Sequence, residues 1–324
     1  MLMSGRATGA ERSFDWATIG PWLRDRGVYV AFGVMLVFNL VFTENFASVI
    51  TLYNLLIQVT PVLLCSLGLA LVIGTEGIDL SVGSIMALSS AAVPLYLGYG
   101  WPAALAIALL VGAFAGAING SLVAFAGIQP IIATLALLVA GRGLAQIFTS
   151  GQLLTVSDPV VLALGQARPF GIPAPVIVAA VAVLVVAFLM KRTTFGRYVV
   201  AIGGNRSASY LSGHPVRRTL LAVYIISGLL AAVAGIVATA RLSASDPSNI
   251  GVLIELSAIT AVVVGGTPLS GGRVRLAGTV MGALLMQLIL TTFISNNLPF
   301  TLAQVLTAGI ILVAVYVQRG RGAA

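Results

Sequence analysis

Ten apolar segments, near residues 28–43, 49–73, 81–97, 101–126, 130–148, 173–190, 219–240, 252–267, 275–294 and 301–318, divide this chain. Most reach the ~17–25 residues that carry a helix across a hydrocarbon layer. Runs of this kind leave few folds open, because in lipid every backbone polar group has to pair inside a helix or a closed barrel. Composition points the same way. Of the 324 residues, 59% are hydrophobic and 8% charged, against about 25% charged in a soluble domain. So few charges cannot cover a soluble fold of this length, which excludes an ordinary cytosolic enzyme. The expected fold class is all-α: a polytopic transmembrane helical bundle of about ten spans, some of them broken.

The breaks are written in Pro and Gly. Pro61 inside segment 49–73 predicts a kinked but continuous helix. Gly74, Gly77 and Gly83 punctuate the step into segment 81–97, and segment 252–267 is short and carries Glu255, so the count stands at nine to eleven. The single Cys65 reads as a small packing residue. Arginines and acidic residues precede the first apolar run near Val28, so the opening stretch does not read as a cleavable signal peptide.

Charge gives the direction. With the N-terminus in the cytoplasm, Arg6, Arg12, Arg24, Arg26, Lys191, Arg192, Arg197, Arg206, Arg217, Arg218, Arg273, Arg275, Arg319 and Arg321 all lie inside, 14 of the 17 basic residues. Arg168 and Arg241 fall outside and Arg142 sits within or near a span. The positive-inside rule then puts both termini in the cytoplasm. The net charge of +8 reflects this orientation and implies no nucleic-acid partner. Residues 1–27 read as an N-terminal tail, 28–318 as one transmembrane domain with an internal loop at 191–218, and 319–324 as a C-terminal tail.

No catalytic or metal site is legible. There is one histidine, His214, and no HExxH, CxxC or GxxxxGK[ST] pattern, so a catalytic zinc or a nucleotide phosphate has nothing to hold it. Loop 191–218 is more informative. Gly203–Gly204 breaks the preceding structure, Asn205 is an N-cap for the helix Arg206–Ser212, Gly213 fits the left-handed C′ position, and Pro215 stops continuation. Tyr210 and Leu211 give this helix an apolar edge. Two turns are too short to stand alone in water, so the helix inserts into a groove on another protein or lies on anionic lipid.

Polar residues in or beside the spans are the other candidates, since each is expensive in hydrocarbon. Asn54, Glu76, Asp79, Asn119, Gln129, Arg142 and Glu255 are candidates for a pathway or gate, with interhelical hydrogen bonding as the plainer role. Asp79 also fits an N-cap for the helix starting at Leu80–Ser81. Gly74–Thr75 and Gly266–Thr267 each follow an apolar run and precede a glycine-containing helix, which hints at a parallel internal repeat. Stretch 149–172, with a short helix near Pro159–Gly165, is a connector or an outer docking surface.

Several blocks in order carry a resemblance: GIDLSVGS at Gly77–Ser84, IQPIIATLALLVAGRGLAQIFTSGQ at Ile128–Gln152, GRYVVAIGGN at Gly196–Asn205, LSG at Leu211–Gly213, ISGLLAAVAGIV at Ile226–Val237, ELSAITAVVVGGTPLSGGR at Glu255–Arg273 and AGTVMGALL at Ala277–Leu285. Over residues 28–318 the chain resembles the membrane permease subunits of bacterial ABC importers for ribose, xylose, arabinose and galactose. The AGRGLAQ block is similar to the furanose-importing branch, and GIDLSVGS argues against a related group that handles branched-chain amino acids. The resemblance implies a multi-pass protein of the bacterial inner membrane that is not itself an enzyme. It implies a second permease, identical or homologous, an ATP-binding subunit that holds ATP and Mg, and an extracytoplasmic sugar-binding protein. It also assigns Gly203, Gly204, Asn205, Arg206, Tyr210, Leu211, Ser212 and Gly213 to the contact with the ATPase. His214 departs from the family, where an aliphatic residue often follows LSG. The rivals are a secondary transporter of a small polar solute, which would need no ATPase, and an ABC permease for a non-sugar substrate.

Overall fold

The computed structural model describes residues 16–319, and of the basic residues assigned to the inside, Arg6, Arg12 and Arg321 lie outside that range. It is helical almost throughout: α1 (Trp16–Phe42), α2 (Val49–Gly74), α3 (Val82–Tyr96), α4 (Trp101–Ala124), α5 (Pro130–Thr149), α6 (Pro159–Gln166), α7 (Ala174–Arg192), α8 (Thr194–Gly204), α9 (Arg206–Leu211), α10 (Val216–Leu242), α11 (Ile254–Val264), α12 (Leu276–Ser295) and α13 (Phe300–Arg319). Among the described residues, seven helical segments are long and apolar enough to cross a membrane: α2, α4, α5, α7, α10, α12, and α3 with its short extension to Tyr99. α1 begins at Trp16, ahead of the apolar run that starts near Val28. The only strands among the described residues are β1 (Leu154–Thr155) and β2 (Ala244–Ser245), paired antiparallel with Leu154 opposite Ser245.

The core is α2 and α10, flanked by α3, α4, α11 and α12. Along α2, Leu64, Cys65, Leu67 and Leu69 to Ile73 are fully buried. α4 reaches α10 through a stripe of small residues at helical spacing. A Cβ on Gly116 would run into the Tyr224 carbonyl, one on Gly112 would lie 2.5 Å from the Gly228 carbonyl, and one on Gly120 would lie 3.0 Å from the Leu221 Cα. Lipid offers no hydrophobic gain for helix association, so such close backbone approach is what holds two spans together. Polar pairs add to it: Asn39 of α1 donates to Thr292 of α12 (2.8 Å), and Gln287 of α12 donates to Gln58 of α2 (3.1 Å).

Two crossings are broken. Gly68, six residues before the end of α2, packs on Ser227 of α10. The same Ser227 donates to Asp79 (2.9 Å), which lies beyond that end. The chain therefore doubles back after α2 and starts α3 in the middle of the bundle. The second break follows α10. Ser245 bonds Ser90 of α3 (2.8 Å), and Gly251 packs against Gly83 at the start of α3, so residues 245–251 descend along α3 to the middle, where α11 begins. This differs from the expected parallel repeat. Gly74–Thr75 and Gly266–Thr267 do share one end of the bundle, where the Gly272 N–H donates to the Gly74 carbonyl (3.1 Å). Their surroundings do not match, however, because a full span precedes one and a half span the other. The architectural counterparts are α2–link–α3 and α10–link–α11, each a long helix, a non-helical return and a shorter helix, running in opposite directions. That is an inverted arrangement of the sort transporters build around a central path.

Candidate functional site

Where α3 and α11 begin, polar groups gather. Asp79 is 1% exposed. Its Oδ1 accepts from the Ser81 N–H (2.9 Å) and the Ser81 hydroxyl (2.6 Å), while Oδ2 accepts from Ser227. The residue preceding α3 is Ser81, so Asp79 is not the N-cap itself but acts from two positions ahead of it. Its negative charge lies near the positive end of the α3 dipole. Asn119 of α4 donates to the Ser81 hydroxyl (2.8 Å) and joins this cluster.

A second cluster lies around the same junction. Glu255, in the first turn of α11, is buried beside Gly83, and its Oε2 has no hydrogen-bond partner. Arg142 of α5 donates through Nη1 to the Pro247 (3.0 Å) and Ile250 (2.6 Å) carbonyls. Asn54 near the start of α2, Glu76 just past its end and Gln129 ahead of α5 are exposed and belong to neither cluster.

None of these seven residues lines the cavity that opens beside the junction. That cavity, about 640 Å³, runs from the end of α10 to the junction and is walled by α2, α3, α10, residues 246–253, α11, α12 and α13. Its polar lining is Gln58, Arg241, Asp246, Asn249, Ser257 and Gln304, with Met86 and Met286 among the apolar groups. Sequence reasoning missed Asp246, Asn249, Ser257 and Gln304. The available signal was Asp246–Pro247–Ser248–Asn249, a turn-forming run that Asp246 closes by accepting from the Ser248 and Asn249 N–H groups (3.1 and 3.2 Å).

The basic end presents α9. Asn205 is its N-cap, accepting from the Ala208 N–H (2.8 Å), and Gly213 follows at φ 77° with its N–H on the Tyr210 carbonyl. Gly203 and Gly204 close α8. Gly203 is there for contact more than for breaking the chain: a Cβ on it would strike the Gly74 carbonyl and the Gly272 N. Ser209 is on the buried face of α9, whereas Arg206, Tyr210 (64% exposed), Leu211 (86% exposed) and the following Ser212 face outward. His214 packs its ring on Tyr198, 5.1 Å between centroids.

A family model described as "Branched-chain amino acid transport system / permease component" matches residues 51–315. The chain is 37% identical over 324 residues to the galactofuranose transporter permease protein YtfT of Escherichia coli K12, covering 97% of this chain and 93% of that one. It is 37% identical over 308 residues to the ribose import permease protein RbsC of the same strain (92% and 94% covered). To its L-arabinose transport system permease protein AraH the identity is 34% over 301 residues (90% and 89%). No solved structure matches.

Proposed function

Because the chain belongs to the family of branched-chain amino acid transport system permease components, we propose that it is the membrane-spanning subunit of a binding-protein-dependent ABC importer for a monosaccharide. The sugar comes from its relatives, which are galactofuranose, ribose and L-arabinose permeases. The observation that carries the reading is their similarity along almost the whole chain, in a molecule with a largely apolar, half-open cavity that carries a few polar side chains beside two broken crossings. Gln58, Asn249, Ser257, Gln304 and Arg241 offer hydrogen bonds to hydroxyl groups, and Met86 and Met286 offer apolar contact to C–H faces. A second permease, identical or homologous, shields the cavity's open side, since Arg241 and Asp246 cannot face lipid.

In this reading the basic end lies in the cytoplasm and both termini with it, by the positive-inside rule. A partner ATP-binding subunit grips Tyr210 and Leu211, and an extracytoplasmic sugar-binding protein delivers substrate at the other end. ATP and Mg belong to the partner, and no bond of the sugar is made or broken in this chain. Motion of α9 reaches the path through α8, because Gly203 packs on the end of α2 and on the 265–275 turn. α2 and the turn then move α3 and α11, and the inner and outer openings alternate. The test is deletion of residues 206–212 in proteoliposomes holding all the subunits. Uptake and substrate-stimulated ATP hydrolysis should both be lost while the permease still inserts. Unchanged coupling would refute the assignment of α9.

A further inference from the structure

One wall of the cavity is not helical. Residues 246–253 carry Gly251 at φ 75° and Leu253 at φ 58°, and Asp246, Asn249, Ile250, Gly251, Val252 and Leu253 all line the space. Non-helical backbone at membrane depth has carbonyls that no helix satisfies, so other groups have to take them. Arg142 does this for two of them, Pro247 and Ile250. It comes from α5, which contributes nothing to the cavity lining. The arginine reaches this place because Gly141 beside it packs on Ser84, bringing α5 against α3.

A bundle arginine kept for charge balance alone would spend its donors on the buried carboxylate in its neighbourhood. Here Glu255 interacts with Arg142 electrostatically, yet Oε2 of Glu255 accepts no hydrogen bond while the guanidinium bonds the carbonyls of the wall. We propose that Arg142 is a positioning residue that fixes the shape of the cavity wall from behind, so that the space available to substrate is set by a side chain that never touches it. This rests on reading the cavity as the path, but its structural consequence does not require transport to be measured.

The test uses a cysteine probe in the wall. Ile250 is 5% exposed, and Cys65, the native cysteine, is fully buried in α2. In an Ile250→Cys protein reconstituted in vesicles, maleimide labelling at both positions is followed by peptide mass spectrometry. Adding Arg142→Gln should raise the labelling rate at position 250 about tenfold, the scale of losing charge-assisted hydrogen bonds, while Cys65 stays unlabelled. The double change Arg142→Gln with Glu255→Gln removes the carboxylate left unbalanced and should keep the raised rate. An unchanged rate at position 250, a parallel rise at Cys65, or a return to slow labelling in the double variant would each overturn the proposal. The last would mean that Arg142 serves only as a counter-charge. Absence of sugar uptake by the unsubstituted importer would sink the transport reading and leave this labelling result intact.

Discussion

Asp79 concentrates three donors on one buried carboxylate, and its chemistry separates two substitutions that look alike. Asp79→Ala strands the Ser81 N–H and the Ser81 and Ser227 hydroxyls in a dry place. Each orphan costs about 1–3 kcal/mol, so thermal unfolding in detergent should show a large loss of stability. Asp79→Asn keeps an acceptor for Ser81 and can turn its amide toward Ser227, and should lose well under half as much. Equal losses would mean that the hydrogen bonds are not what matters there. At this scale the sequence was a partial guide. Asp79, Asn119, Arg142 and Glu255 stood out because charge or amide in an apolar run is costly, and they do gather at the junction. Asn54, Glu76 and Gln129 stood out for the same reason but sit at exposed positions near helix ends. A one-dimensional pattern reports that a side chain is polar, not which way it faces.

Elements were more legible than the space between them. Helix ends follow residue rules that act locally: Asn205 caps α9, Asp158 caps α6 with two N–H bonds (2.9 and 3.1 Å), and Gly213 takes the left-handed position after α9. Asn205→Ala should cost about 0.5–2 kcal/mol. Because α9 has only six residues, that loss should appear as weaker stimulation of the partner ATPase with permease insertion intact. Of the broken crossings only the first was legible, as glycine punctuation at Gly74, Gly77 and Gly83, and the second was not, since the return of residues 75–81 and 246–253 to the middle depends on contacts with α10, α3 and α5. Helix packing gives a sharper contrast. Gly116→Val drives a side chain into the Tyr224 carbonyl and should destabilise the α4–α10 pair by 1–3 kcal/mol or more. Gly143→Ala meets nothing within 4 Å and should be neutral, or stabilising by up to about 1 kcal/mol through helix propensity. Folded yield after detergent extraction distinguishes the two.

For the whole molecule, scarcity of charge and ten apolar runs were enough to read a polytopic helical bundle. The cavity was not legible, because Gln58, Arg241, Asp246 and Gln304 come from distant parts of the chain and meet only once α2, α10 and α13 are packed. The inverted relation of α2–α3 to α10–α11 was hidden for the same reason: the two halves share a path of the chain and not a string of residues. Orientation has its own check. A cysteine placed at Tyr210 should react with an impermeant maleimide only from the cytoplasmic side. On the proposed reading this chain is a passage whose work is done by an ATP-hydrolysing partner. Sugar accumulation in proteoliposomes tests it most directly, comparing the chain alone with the chain plus ATP-binding subunit and binding protein. Concentrative uptake should occur only in the complete system and only with ATP. Accumulation against a gradient by the chain alone, without nucleotide, would contradict it.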